Sequence, residues 1–169
     1  MTTSEILLQD FDIEMAGTRK TLERIPEAEP AYVPHSKSMP MGRLAMHVAT
    51  MPLFGKYLLT DEGMDLAAPT HPQESLEFTT TANLLAAFDK NVAACRTSLA
   101  AATDESLARP WKFSYGEHLI SNDSRSLSYR RMFFNHLLHH RAQLGVYLRL
   151  NDLPVPGLYG PSADEPFKP

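Results

Sequence analysis

Only one cysteine, Cys95, stands among the 169 residues. It cannot close an intrachain disulfide, which suits a reducing compartment and leads to the expectation of a cytoplasmic protein. No dense basic run occurs; Arg130, Arg131, Arg141 and Arg149 are spread along the last helical stretch. A nucleic-acid partner requires a continuous cationic footprint, and the formal net charge is −4, so neither DNA nor RNA is expected as a partner. No uninterrupted apolar run approaches the ~18 residues that mark a membrane span. The opening Thr2, Thr3, Ser4 and Glu5 lead directly into an amphipathic stretch rather than a secretory leader. Three chemical signatures are missing as well: a glycine-rich phosphate loop, a Gly-x-Ser-x-Gly nucleophile elbow, and the metalloprotease motif, for which Leu137 stands where a glutamate is required.

What is present fits one domain, residues 1–169, with enough apolar residues (43%) for an ordinary core. Periodicity predicts four helices, hence an all-α four-helix bundle with irregular connections. The first runs from about Ser4, as N-cap, to Ile25, with Leu8, Phe11, Met15, Leu22 and Ile25 on its stripe and Pro26 ending it. After a proline-rich loop, the second runs from about Met41 to Leu59, with a kink or break expected at Pro52. Residues 60–75 read as a connection. The third helix spans about Thr81 to Ala102 and carries Cys95 on its apolar stripe, which makes that thiol a small core residue. Alternation around Trp111, Phe113 and Tyr115 predicts a short strand or hairpin near 110–122, and the fourth helix follows from about Ser126 to Leu150. An extended proline-rich tail closes the chain, its first part expected to pack on the body through Leu153, Val155, Leu158 and Tyr159.

Seven histidines are available. On a wheel of about 100° per residue, His140 falls ~40° from His136, with Tyr147, Phe133, Leu144 and Tyr129 on the same face. His136 and His140 therefore point into the bundle, and two imidazoles one turn apart can share one metal ion. His136 with His139 has a permissible spacing too, but His139 falls towards the edge of the face. His47, between Leu44, Val48 and Met51 on the second helix, supplies a third inward imidazole. Unpartnered imidazoles in an apolar core are costly, and a metal resolves that cost by accepting a lone pair from each. The bland alternative is a set of hydrogen-bonded core histidines. His35, His71 and His118 fall in connections and read as surface residues. Few charges and several apolar residues on the first and last helices suggest a face left for a second copy of the chain.

Met46-His47-Val48-Ala49 together with Asn135-His136-Leu137-Leu138-His139-His140-Arg141-Ala142-Gln143-Leu144 resembles the DinB superfamily of metal-dependent four-helix proteins. The stretch from Tyr147-Leu148-Arg149 through Leu153–Glu165 resembles a subgroup of it. The likeness runs over about residues 5–165; Ala142 stands where relatives often have glycine. The resemblance implies a bundle, frequently dimeric, with one divalent metal per chain on His47, His136 and His140, commonly zinc or nickel and sometimes iron or manganese. It further implies a thiol S-transferase that acts on a small molecule with a low-molecular-weight thiol as cosubstrate, and a site of three histidines suits a hydrolase as well. Three histidine ligands leave a coordination position open, as catalytic rather than structural zinc sites do. Tyr147, Arg141 and Gln143 are candidates for orienting groups around that site. The competing expectation is a non-catalytic, metal-stabilised stress-response bundle.

Overall fold

The structure is a computed structural model that describes residues 1–167. Lys168 and Pro169, the end of the expected tail, lie outside the described residues. The chain is mostly helical: α1 (Thr3–Leu22), α2 (Met41–Thr60), α3 (Thr81–Ala100), the short α4 (Asp104–Ala108), and a final run made of α5 (Arg125–Ser128), a π-helical segment (Tyr129–Phe134) and α6 (Asn135–Leu150). The long helices touch in pairs, α2 with α3 and α6, and α1 with α3 and α6. Phe11, Leu44, Leu58, Phe88, Phe133 and Leu144 fill the space between them.

The all-α expectation needs correcting. Three strands, β1 (Gly63–Asp65), β2 (Pro110–Tyr115) and β3 (His118–Ser124), form a small sheet in the order β1-β2-β3. The hairpin near 110–122 is there, and β1 joins it in parallel with Gly63 opposite Lys112. Three residues carry too little periodicity to register as a strand, which is why 60–75 reads as a connection. The β2–β3 turn uses Gly116 at φ +56°, the left-handed region that glycine takes without strain, and Asp65 Oδ1 accepts its N–H at 2.8 Å. A bulge between Phe113 and Ser114 leaves Ile120 out of the ladder; Phe113 faces Ser121 while Ser114 faces Leu119.

Several helix boundaries move. Thr2, not Ser4, caps α1, in a reciprocal box with Glu5. That helix stops at Leu22, and Leu7 rather than Leu8 is the fully buried member of its first turns. Pro52 does not break α2, which runs unbroken from Met41 to Thr60. Pro52 supplies no N–H to the Val48 carbonyl. The buried Asn91 of α3 donates to the next carbonyl, Ala49, at 3.1 Å, so the neighbouring turn is held from outside the helix. Arg125, only 4% exposed, donates to the Leu58 and Leu59 carbonyls at 3.2 and 2.5 Å. It thereby satisfies the free end of α2 and ties it to the start of the last helical run.

The largest departure is the π-helical turn at Tyr129–Phe134, where a continuous α-helix was expected. The 100° wheel therefore describes α6 but not the residues before it. The phase change still buries Tyr129 and Phe133. The Phe133 ring lies so close to Gly55 that a Cβ there would sit 2.7 Å from it. That close approach sets the last helical run directly against α2. Beyond α6, residues 151–167 form neither helix nor strand. Leu153 and Val155 pack against the core, and Arg149–Asp164 and Arg24–Glu165 ion pairs hold the stretch that follows.

Candidate metal centre

The Gly55–Phe133 contact brings α2 and the last helical run together one to two turns from His47 and His136. The three histidines singled out from the sequence converge: His47, His136 and His140 each offer a ring nitrogen within 4.8 Å of the others. Ring centroids are 4.7 Å apart for His47–His140, 4.6 Å for His136–His140 and 5.7 Å for His47–His136. His139 is exposed and lies outside the trio. One expectation fails. His136 is exposed rather than enclosed, because it lines an open cavity together with His47.

Hydrogen bonding fixes which nitrogens are free. His140 Nδ1 lies 2.7 Å from Gln143 Oε1, an atom that only accepts, so Nδ1 carries the proton and Nε2 a lone pair. His136 Nδ1 faces the Met132 carbonyl at 3.3 Å, which favours the same tautomer. The two Nε2 atoms then point at each other across 2.8 Å. At that distance the two nitrogens either share a proton, His136 Nε2–H donating to His140 Nε2, or hold a common cation. Burial, reinforced by His140, His136 and Arg43, lowers His47 to about pKa 4. Burial lowers His140 too, against the opposing pull of Gln143. Neutral imidazoles are the form that ligates a metal, and orientation through the second ring nitrogen is how ligating histidines are commonly held. The donor set thus fits a divalent ion.

The other candidates are placed plainly. Tyr147 points away from the histidines and donates to the Met39 carbonyl at 3.0 Å, a satisfied core tyrosine. Arg141, 3% exposed, bonds the Glu14 carbonyl and Thr18 Oγ1 at 3.0 and 3.2 Å, and its ion pair with the Glu14 carboxylate is 2.7 Å. It also donates to the Tyr159 hydroxyl. Arg141 therefore orients α1 and the tail, while Gln143 orients a histidine. Cys95 is buried and its thiol is pushed up to about pKa 12 by burial, as suits a core residue. His35 and His118 are exposed as expected. His71 is not a free surface residue: it stacks on Tyr57 at 3.7 Å and meets Asp61 at 2.6 Å.

A cavity of about 600 Å³ opens over the trio, with His47 and His136 at its floor. Met51 and Phe54 of α2, Met64 of β1, Phe113 of β2 and Met132 of the π segment form its walls. Sequence reasoning missed this cavity because two walls belong to the sheet. The bulge at Phe113 is invisible without strand pairing, so no signal in the sequence marks the cavity.

A mostly helical protein with three convergent imidazoles, able to hold a metal ion beneath an apolar cavity, is the class that fold and site define. The DinB family model matches residues 1–167, and the chain belongs to the DinB family. A DinB-like protein from Bacillus cereus superposes with a TM-score of 0.66 at 20% identity, covering 90% of this chain and 95% of that one. Another from Bacillus subtilis gives a TM-score of 0.69 at 21% identity, covering 89% and 96%. At that identity the likeness concerns the fold. No curated protein matches the chain significantly. Among the described residues, no helix is long and apolar enough to cross a membrane.

Proposed function

We infer that the chain is a metal-dependent enzyme, a thiol S-transferase or hydrolase acting on a small molecule, with one divalent ion on His47, His136 and His140. The observation that carries this reading is the convergence of three imidazoles, with the His136 and His140 Nε2 atoms 2.8 Å apart, at the floor of an open cavity. A structural metal site is normally closed by four protein ligands, whereas three ligands below a cavity leave a position for a reactant. Imidazole suits zinc, nickel, copper and iron alike; the family resemblance points to zinc or nickel, with iron or manganese as alternatives. A bound ion would supply Lewis acidity, lowering the pKa of a water or thiol. The chain's own residues do the rest. Gln143 holds the His140 ring in one tautomer, and His47 ties α2 to the two histidines of α6.

Exposed Ile6 and Ile13 on α1, with Val146 and Leu150 on α6, support a homodimer. The one cysteine, reduced and buried, supports a cytoplasmic setting. The non-catalytic alternative has no comparable support, since a purely structural ion does not need the cavity.

The test is a screen of protein loaded with zinc, nickel or manganese. It should be assayed against electrophiles paired with cellular thiols, and against simple esters and amides. Metal-dependent turnover that His47→Ala abolishes, with helix content unchanged, supports the enzyme reading. No turnover with any metal, together with an ion closed by four protein ligands, overturns it.

A further inference from the structure

We propose, building on the metal-site reading, that Arg131 is a specificity-determining residue: it grips a carboxylate of the reactant at the cavity rim while the reacting end meets the ion on the histidine floor. Few other polar groups line the cavity. Thr50 spends its hydroxyl on the His47 carbonyl at 3.1 Å, and the Ser121 hydroxyl is buried. Met51, Phe54, Met64, Phe113 and Met132 offer apolar surface. Arg131 is the one permanent cation among the described lining residues, its side chain 63% exposed. Asp123 accepts from its Nη1 at 2.9 Å, which joins the π segment to β3. The edge formed by Nε and Nη2 has no hydrogen-bond partner among the described residues. Two parallel N–H groups on one edge are the donors that a carboxylate accepts from in bidentate fashion. The Asp123 contact also restrains a long side chain, so less freedom is left to lose on binding. Arg131 and the ion are thus two positive partners at different depths of the same cavity. Arg131 and His136 stand five positions apart on one helical run, a rise of roughly 7 Å. That separation suits a ligand whose two ends are divided by several carbons lying on the methionine and phenylalanine walls.

The test has two arms, both on the full-length protein. In the first, nickel-loaded protein is titrated with 6-mercaptohexanoate and with 6-mercaptohexan-1-ol, and the thiolate-to-nickel charge-transfer absorption gives an apparent Kd for each. The two thiols differ only at the far end, and the acid should bind at least about fivefold more tightly than the alcohol. Arg131→Met should weaken the acid by about fivefold to tenfold and leave the alcohol within about twofold, with unchanged circular dichroism. Arg130→Met makes the same charge change one residue away, outside the lining, and should alter neither. Arg131→Lys keeps the charge but not the fork and should recover only part of the loss. The second arm needs no metal. Trp111, the one tryptophan of the chain, packs against Phe113 and Phe54 with ring centroids 5.7 and 6.3 Å away, so energy transfer from it reports N-phenyl-1-naphthylamine inside the cavity. In chelator-treated protein, Arg131→Met should raise the octanoate concentration that displaces this probe by at least about fivefold and leave that of 1-octanol unchanged. Equal responses of acid and alcohol to Arg131→Met in either arm overturn the proposal, as does an Arg130→Met effect of the same size. A wild-type cavity that takes neither thiol nor probe overturns it too. A missing charge-transfer band alongside Arg131-dependent octanoate displacement would sink the metal reading and leave the role of Arg131 standing. A band whose strength ignores Arg131→Met for both thiols would do the reverse.

Discussion

The two halves of α6 treat their polar side chains in opposite ways. Towards its C-terminus each is matched: Arg141 with Glu14 and Thr18, Tyr147 with Met39, Asn151 with the Tyr147 carbonyl, Arg149 with Asp164. Towards its N-terminus His136 and His140 spend one nitrogen each on the protein and aim the other at a common point. Matched polar groups hold a structure together, while converging unmatched lone pairs await something from outside. Two neighbours in sequence, His140 and Arg141, fall on opposite sides of that division.

Exchanging those neighbours tests the division with the largest effects. Arg141→Ala leaves the Glu14 carboxylate, only 15% exposed, with the Tyr159 hydroxyl as its remaining partner, and should cost about 2–4 kcal/mol in chemical denaturation. Metal content should stay near that of the wild type. His140→Ala should do the converse, losing the ion by elemental analysis while the metal-free protein melts within a few degrees of wild type. If Arg141→Ala also empties the site at temperatures where it is folded, the two halves are not separable.

Gln143→Ala sharpens the comparison at its boundary. Gln143 touches His140 but no lone pair of the converging set, so calorimetry should show metal affinity lowered by roughly 10–100-fold rather than abolished. An unchanged affinity would mean that Gln143 does not set the tautomer. Gly55→Ala probes how the two ligand-bearing helices are held together. The added methyl would overlap the Phe133 ring, and about 1–3 kcal/mol of stability should be lost by thermal or urea unfolding, with weaker metal binding alongside. Stability equal to wild type would show that the π segment can retreat without consequence.

The histidine trio was legible because α6 downstream of Asn135 and α2 around His47 are regular helices, so a 100° wheel applies to them. The long helices were legible for the same reason. The π turn was not, since nothing in Tyr-Arg-Arg-Met-Phe-Phe distinguishes it from an α-helical turn by periodicity. Nor was β1, whose partner strand lies almost fifty residues away and whose three residues are only half-buried. The exposure of His136 followed from that gap: without the sheet there is no cavity, and an apolar-face histidine is then expected to be enclosed.

The smallest effect lies at the tail. The Arg149 guanidinium, then the Val155 N–H, hold the Asp164 carboxyl below its ordinary value. A depressed carboxylate contributes stability that is present above its unfolded pKa, near 3.8, and is lost as pH falls through the folded value. The protection factor of the Val155 amide, exchange being corrected for its intrinsic pH dependence, should therefore fall at acid pH before the histidine-bearing half of α6 opens. Simultaneous opening of both halves would make the tail part of the same cooperative unit.

The π turn has a consequence for how this chain can vary. Its widened hydrogen-bond ladder accommodates a residue that an α-helix of the same rise would have no room for. Removing one residue from Tyr129–Phe134 would let the segment relax to α-helix while the turns on either side keep nearly their present phase, because the widened turn already absorbs that residue. Removing one residue between His136 and His140 would instead turn one imidazole about 100° from the other. Length is thus negotiable in the π segment and fixed in the helix that follows it. A single-residue deletion at Arg130 should be far better tolerated than one between His136 and His140, as read by metal content and thermal unfolding.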